Sequence, residues 1–436
     1  MRNSSYNVYY YNNLKNLVIY NTLSNEYQVV ESVDEEVVSE LQKKQMITHL
    51  TQQEEQAKCD AIFYQKVYEN TLNITIITTR NCNFSCLYCA QDCEGINMSG
   101  EVYLGIEKYI IRNINSFVAL RVTLFGGEPT VVTEKYTEFL KNIKKICRYY
   151  SRNFQVAMVT NGYLLDDKMI EMLYRHQVTQ YTITLDGSPE LHNHYRVHKD
   201  GSQTFEQIYS NLLNIKNRKD LKRLTIVIRI NVTEKTEKGI EKWKKIYDEL
   251  LVDSRFYLEL SVVEDRGGGS VSGILPELVT FSDVAYDKVK SMFATQRNGL
   301  EKLKTNMFVC GYINKNSLTI DCNGDVRICS KLYMDNCVGK LTKAGRIMSK
   351  EAEFSLFHTK SDAKCFGCSL EPLCHGKRCG FTTVCVKSEI VDAIEEVLKS
   401  NGIVIDKSIK LVSEDVYPLQ KNTKLLTTLS GKKVEG

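Results

Sequence analysis

Strict alternation of apolar and polar side chains marks the middle of the chain. From Thr225 to Thr233 the even positions Ile226, Ile228, Ile230 and Val232 are apolar, while the odd positions include Arg229 and Asn231. A period of two predicts a half-buried strand. The split recurs with Val122 and Leu124 against Arg121 and Thr123, with Tyr181, Ile183 and Leu185 against Thr182, Thr184 and Asp186, and with Leu258 and Leu260 against Tyr257, Glu259 and Ser261. Apolar runs at Ile74–Thr78 and Phe154–Val159 bring the predicted strands to six, with helical stretches such as Val102–Asn115 and Glu134–Tyr149 between them. Six such units predict an α/β fold with a parallel sheet, open or closed in part as a partial (β/α)6 TIM-like barrel, over residues 71–265. A filled barrel is apolar on both faces of its strands. Polar inner faces on four strands imply an open lumen for a polar ligand, or else the exposed faces of an open sheet. Arg229, Tyr257 and Glu259 are the lumen candidates, and alternation alone identifies no catalytic group among them.

Upstream, residues 1–70 read as a small α+β domain, with strands at Val8–Tyr11, Leu17–Tyr20 and Tyr27–Glu31 and helices from Ser32 and about Thr51. Ser32 is the expected N-cap, since Asp34, Glu35 and Glu36 follow it where the helix dipole favours acid. Downstream, Arg266-Gly-Gly-Gly-Ser270 is a joint, and 266–305 is a linker with a bridging helix near Phe281–Ala294. A cysteine-rich domain over 306–400 ends in a helix from Ser388 to Lys399, and 401–436 is a tail without strong pattern.

Composition changes this picture in two ways. A net charge of +4 from 57 basic and 53 acidic side chains gives no domain-wide basic excess, so nucleic acid is not an expected partner. No run of about 18 apolar residues is present, so no membrane span is expected, and the N-terminus has no apolar export segment. The expected location is the cytoplasm. Fifteen cysteines in a reducing compartment point to metal rather than disulfides. Nine lie between Cys310 and Cys385, three between Cys82 and Cys89, while Cys59, Cys93 and Cys147 are scattered and read as small apolar residues.

Cys82-Asn-Phe-Ser-Cys86-Leu-Tyr-Cys89 follows the first strand of the α/β region, where such folds place their active sites. Three thiolates can hold three irons of a cubane and leave the fourth open to a ligand. A zinc loop with Cys93 as fourth ligand is the alternative. The C-x3-C-x-aromatic-C order resembles the radical S-adenosylmethionine (radical SAM) signature, and the resemblance implies that Tyr88 lies against the adenine. Phe125-Gly126-Gly127-Glu128-Pro129 at the next strand's end is similar to that family's GGEP element, which receives the methionine amino group. Thr160-Asn161-Gly162, Thr184-Leu-Asp186-Gly187 and His192-Asn-His194-Tyr-Arg196 look like its TNG and SLDG-to-HxxxR segments. The implied cofactor-binding set is thus Tyr88, Gly126, Gly127, Glu128, Pro129, Thr160, Asn161, Thr184, Asp186 and Arg196. Asn161-Gly162 and Asp186-Gly187 also serve as turn pairs, and His192, His194 and His198 read as solvated loop histidines.

Cys310-x13-Gly324-x4-Cys329, then Cys365-x2-Cys368-x5-Cys374-x4-Cys379 and Cys385, resembles the seven-cysteine SPASM extension of radical SAM proteins, with four residues where three are usual before Cys379. The resemblance implies two auxiliary [4Fe-4S] clusters beside the SAM-binding one, giving three in all. Cys365, Cys368, Cys374 and Cys385 would hold one, and Cys310, Cys329 and Cys379 the other. Its fourth ligand is left open between Cys322, Cys337 and no protein ligand, and zinc ribbons remain the structural alternative.

What the resemblance implies is reductive cleavage of S-adenosylmethionine to a 5′-deoxyadenosyl radical, which removes hydrogen from an unactivated C–H bond. Two substrates compete. The first is a ribosomally made precursor peptide, crosslinked through a thioether or carbon–carbon bond, its leader gripped by a sheet edge in residues 1–70. The second is a sulfatase, oxidised to formylglycine, although Ser330 stands where that family usually has Asp. An electron donor such as flavodoxin or ferredoxin is expected in either case. A non-catalytic electron-transfer or sensor protein is the third reading, which the SAM-like Gly126–Pro129 element disfavours.

Overall fold

The computed structural model describes residues 2–32, 34–89, 91, 95–233, 235–262, 289, 292–293, 303–305, 307, 309–330, 337–349, 365–376, 385 and 387–408. The joint at 266–270 and most of the helix expected near 281–294 lie outside the described residues. The chain divides into two compact units: residues 1–69, 298–315 and 356–436 form the first, and 70–297 with 316–355 the second.

In the first unit β1 (Arg2–Asn3) pairs with β5 (Ile47–Thr48), and β2 (Asn7–Tyr11), β3 (Leu17–Asn21) and β4 (Glu26–Val30) form an antiparallel sheet in that order. Helix α1 (Glu35–Lys43) is capped by Asp34, whose carboxylate accepts the Val37 N–H at 2.8 Å, so the cap lies two residues beyond Ser32. A carboxylate placed one residue before the helix both accepts this bond and complements the dipole. Helix α2 (Gln52–Val67) starts at Thr51 with a reciprocal capping box to Glu54. Val8, Tyr10, Val18 and Tyr20 pack with Ile390, Ile394, Val397 and Leu398 of the helix Lys387–Ser400 in one core.

The second unit holds the six strands expected from the sequence: β6 (Thr71–Thr79), β8 (Ala119–Gly126), β9 (Asn153–Thr160), β10 (Val178–Thr184), β12 (Thr225–Val232) and β13 (Phe256–Val262). Each pairs in parallel with the next. The connections include α3 (Gly100–Arg112), α4 (Thr133–Tyr149), α5 (Asp167–Arg175), α6 (Pro189–Tyr195), α7 (Phe205–Asn217) and α8 (Ile240–Leu251). In β12 Ile226, Ile228, Ile230 and Val232 are buried and the residues between them are not, which is the predicted division of faces. Among the described residues the sheet does not close. At the β6 edge it continues into β14 (Ser317–Ile320), parallel to β6, then antiparallel through β15 (Asp325–Arg327), β16 (Cys337–Leu341) and β17 (Ile347–Ser349). These strands satisfy the backbone groups that an open β6 would leave unpaired. The cysteine-rich stretch is thereby shared between the two units.

Candidate active site

Backbone contacts fix the mouth of the sheet first. The Gly127 N–H donates to the Thr79 carbonyl at 2.9 Å and the Glu128 N–H to the Asn81 carbonyl at 2.8 Å. A Cβ at Gly126 would lie 2.2 Å from the Thr79 oxygen, and one at Gly127 2.2 Å from the Asn81 oxygen. Only glycine allows this approach. The glycines therefore lock the end of β8 onto the segment that leads into the cysteine loop. The Glu128 side chain is fully buried: Oε1 accepts the Thr130 N–H (2.9 Å), the Thr130 hydroxyl (2.6 Å) and the Thr160 hydroxyl (2.7 Å), and Oε2 accepts the Asn161 N–H (2.6 Å). It binds the end of β8 to the end of β9. The Asn161 amide in turn donates to Asn83 Oδ1 at 2.7 Å, within the cysteine loop.

That loop forms a short strand, β7 (Phe84–Cys86), antiparallel to β11 (Arg196–His198), with Arg196 opposite Cys86. The Leu87 N–H extends the clasp to the Tyr195 carbonyl at 2.9 Å. Tyr88 follows, and its hydroxyl is a junction. It bonds to Asp186 Oδ2 and accepts from Arg196 Nη1 (2.8 Å) and Asn231 Nδ2 (3.1 Å). The Asn231 N–H donates to Asp186 Oδ1 at 2.8 Å. Burial raises the Asp186 carboxyl above its ordinary range, against the Arg196 charge and the donors from Tyr88 and Asn231. Burial opposes the Arg196 charge too, but Cys86, Tyr88 and Asp186 outweigh it and hold the guanidinium cationic.

His192 departs from the solvated position expected of it. It is fully buried, and its Nδ1 accepts the Asp186 N–H at 3.0 Å, which leaves the proton on Nε2, 3.1 Å from the Thr204 hydroxyl. Thr204 Oγ1 donates to the Arg196 carbonyl at 2.7 Å. Burial holds the imidazole well below its usual pKa and hence neutral. His194 is exposed, and His198 is half-buried beside Asp200. His192 stands in the HxxxR-like segment, but it lies on α6 and Asp186 lies past the end of β10, so no period of a single element announces their contact. Asn231 was legible as a polar position on the wet face, although nothing singled it out.

The cysteines suit a metal group. Cys82, Cys86 and Cys89 are half-buried, and burial, followed by the charges of Glu128, Cys86 and Cys89, pushes the Cys82 thiol up to about 12. Crowded, desolvated thiols ionise together only against a compensating cation. Cys93 lies outside the described residues. In the first unit, burial and then Cys368, Cys365 and Cys385 raise the Cys374 thiol to about 12, so these four thiols share one field. Cys310 also belongs to that unit, while Cys322, Cys329 and Cys337 belong to the second. Cys379 lies outside the described residues. Cys322 is buried in the turn after β14, its thiol donating to the Ile77 carbonyl at 3.1 Å, whereas Cys337 is half-buried.

Of the lumen candidates, Arg229 and Glu259 pair with each other, Nη2 lying 3.0 and 3.1 Å from the two carboxylate oxygens. They occupy the row below Asn231 and Ser261. Tyr257 is one row further from the mouth and 47% exposed. Thr184 lies beside Arg229 in the sheet.

The fold and this site define a parallel α/β protein with a three-thiol loop at the carboxyl edge of its sheet. Residues 76–243 match the Radical SAM superfamily model. Residues 76–243 thus carry a radical SAM domain, which implies S-adenosylmethionine and a [4Fe-4S] cluster. It is 27% identical over 174 residues to a cysteine-type anaerobic sulfatase-maturating enzyme of Clostridium novyi, covering 38% of this chain and 46% of that protein. It is 30% identical over 140 residues to a serine-type anaerobic sulfatase-maturating enzyme of Bacteroides thetaiotaomicron, covering 29% and 32%. The chain thus spans less than half the length of these two relatives. The solved structure of anSMEcpe with bound AdoMet and Kp18Cys peptide is similar over 76% of this chain and 98% of that one, at 18% identity and a TM-score of 0.58. Streptococcus suis SuiB bound to S-adenosylmethionine is similar over 94% and 100%, at 14% identity and a TM-score of 0.50. At these identities the likeness to both structures is one of fold. No helix among the described residues is long and apolar enough to cross a membrane.

Proposed function

We propose that the chain is a radical SAM peptide maturase that crosslinks a ribosomally made precursor through a thioether or carbon–carbon bond. When bound, the cluster and S-adenosylmethionine supply a carbon radical able to take hydrogen from an unactivated C–H bond. Cys82, Cys86 and Cys89 would hold the cluster. The backbone of Gly126–Pro129, with Tyr88, Thr160, Asn161, Thr184, Asp186 and Arg196, would receive the S-adenosylmethionine. The Tyr88–Asp186–Arg196–Asn231 network keeps Tyr88 in one orientation, and Arg229 and Glu259 present paired charge below it. In this reading 71–265 is the radical SAM partial barrel, 306–400 a SPASM domain with two auxiliary clusters, 266–305 their linker and 401–436 a tail. Cys322 and Cys337 both stay candidates for the open ligand, each thiol donating to a backbone carbonyl, Ile77 at 3.1 Å and Gly339 at 3.5 Å. A flavodoxin- or ferredoxin-type donor and a cytoplasmic setting complete the proposal.

The observation that carries the peptide substrate is the edge of β4 in residues 1–70, the proposed leader-recognition domain. Tyr27 O accepts Lys44 Nζ at 3.0 Å and Val29 O accepts Gln28 Nε2 at 3.0 Å, so both carbonyls point away from β3. The N–H groups of the same residues point the same way. A groove of about 450 Å³ runs along this edge, lined by Asn25, Glu26, Tyr27, Gln28, Val29 and Lys44 among others. An extended leader could add here as a strand. Sulfatase maturation is the second reading, favoured by the similarity to the Clostridium novyi enzyme and opposed by Ser330. Anaerobic incubation with S-adenosylmethionine and dithionite tests the two together. A short peptide encoded beside this gene should lose two hydrogens, and Kp18Cys should remain unmodified. Conversion of Kp18Cys to formylglycine, with the neighbouring peptide untouched, would overturn the crosslinking reading.

A further inference from the structure

Cys59 lies more than 300 residues from Glu371 and His375 in the chain, yet all three are buried and their ligand atoms lie within 4.8 Å of one another. They belong to the same compact unit. None is in the three-cysteine loop or among the cysteines assigned above to auxiliary clusters. The Cys59 Sγ stands 3.6 Å from His375 Nδ1. Bonds of about 2.3 Å to sulfur and about 2.05 Å to nitrogen at a tetrahedral angle place those two atoms about 3.6 Å apart.

The local structure is arranged as ligand sites on helices are. Glu371 and His375 are four residues apart, the His375 N–H donating to the Glu371 carbonyl at 2.7 Å, so their side chains share one face. His375 ends the short helix Glu371–Cys374 in the left-handed conformation, with φ 47. On α2, Gln56 lies one turn before Cys59, and its amide nitrogen is 3.1 Å from both Glu371 oxygens. Tyr6 fixes that amide by donating to Gln56 Oε1 at 3.1 Å. An orienting amide on a carboxylate ligand is the usual support around a bound metal. The Phe63 ring, centred 5.2 Å from the imidazole, walls the site with apolar surface.

We infer that Cys59, Glu371 and His375 form a mononuclear divalent-metal site suited to zinc. A thiolate, an imidazole and a carboxylate are the donor mix zinc accepts, and zinc outcompetes ferrous iron at such a site. With all three ligands buried, a bound ion would tie α2 to the segment carrying Cys365, Cys368 and Cys374, its fourth position left to water. It does not depend on the peptide reading, because it is read by metal content rather than by product.

The test uses full-length protein with its iron–sulfur clusters assembled anaerobically, then titrated with Zn2+, desalted and measured for zinc and iron per chain. The wild type should retain about one zinc beyond its iron. Cys59→Ala and His375→Ala should lose that zinc while iron is unchanged. Gln56→Leu, a milder change beside the ligands, should weaken zinc binding about 10- to 100-fold. Absence of retained zinc in the wild type would overturn the site. So would zinc that survives both alanine variants and Gln56→Leu, which would place it among the other cysteines.

Discussion

Glu128 is acidic in sequence and structural in effect. Its carboxylate receives four donors from Thr130, Thr160 and Asn161 in a fully buried setting, so the side chain holds the mouth of the sheet together. Glu128→Gln would place an amide N–H2 among groups that are themselves donors. Hydrogen bonds to an ionised group contribute about 1.5–3 kcal/mol each, and the variant should lose about 2–3 kcal/mol in anaerobic thermal unfolding. Unchanged stability would show that the carboxylate is not needed there. At this scale the sequence singled out residues that come with a spacing, namely the three cysteines, the paired glycines, Asp186 and Arg196, and the structure brings Asp186 and Arg196 together on the Tyr88 hydroxyl. It hid those whose partners are remote in sequence. His192 is defined by a contact to the Asp186 backbone, and Cys59 by two residues more than 300 positions away. No local pattern encodes either.

Elements were legible wherever one face is dry. The six parallel strands and the helices α3 and α4 stand close to their predicted positions because burial on one side forces the period. Two features escaped. The β7–β11 clasp is three residues on each side, too short to display alternation. Strands β14 to β17 follow the sheet edge, and the cysteines that interrupt them dominate the pattern. Two predictions belong here. Val29→Pro removes an outward N–H from β4 but no ladder bond to β3. It should weaken binding of the neighbouring-gene peptide about tenfold by fluorescence anisotropy, leaving peptide-independent S-adenosylmethionine cleavage intact. Equal peptide affinity would exclude strand addition at β4. Asp253 joins the start of β13 to the end of α7 through Arg255, whose guanidinium also donates to the Lys216 and Arg218 carbonyls at 2.8 Å. The Arg255 hydrogen bonds hold the Asp253 carboxyl well below the usual carboxylate range. A folded pKa below the unfolded one means stability present in full above about pH 4 and lost as pH falls toward the folded value. Asp253→Asn should therefore cost about 1–3 kcal/mol at neutral pH, with the gap to wild type closing in acid, as chemical denaturation at several pH values would reveal.

Across the whole molecule, compactness does not follow chain order. The N-terminal α+β segment packs in one unit with residues 356–436, and the sheet unit recruits 316–355. A linear reading can assign class and motif, but it cannot foresee which distant segments share a core, because hydrophobic burial is blind to sequence separation. Three clusters would give about twelve irons per chain, and loss of the SAM-binding one should leave about eight. The central claim is that Cys82, Cys86 and Cys89 hold the cluster that cleaves S-adenosylmethionine. The most direct measurement compares wild type with the Cys82→Ala, Cys86→Ala, Cys89→Ala triple variant, each assembled anaerobically, counted for iron and given dithionite. Wild type should release 5′-deoxyadenosine, and the variant, keeping about eight irons, should release none. Equal release from the variant, or none from fully loaded wild type, would contradict the account.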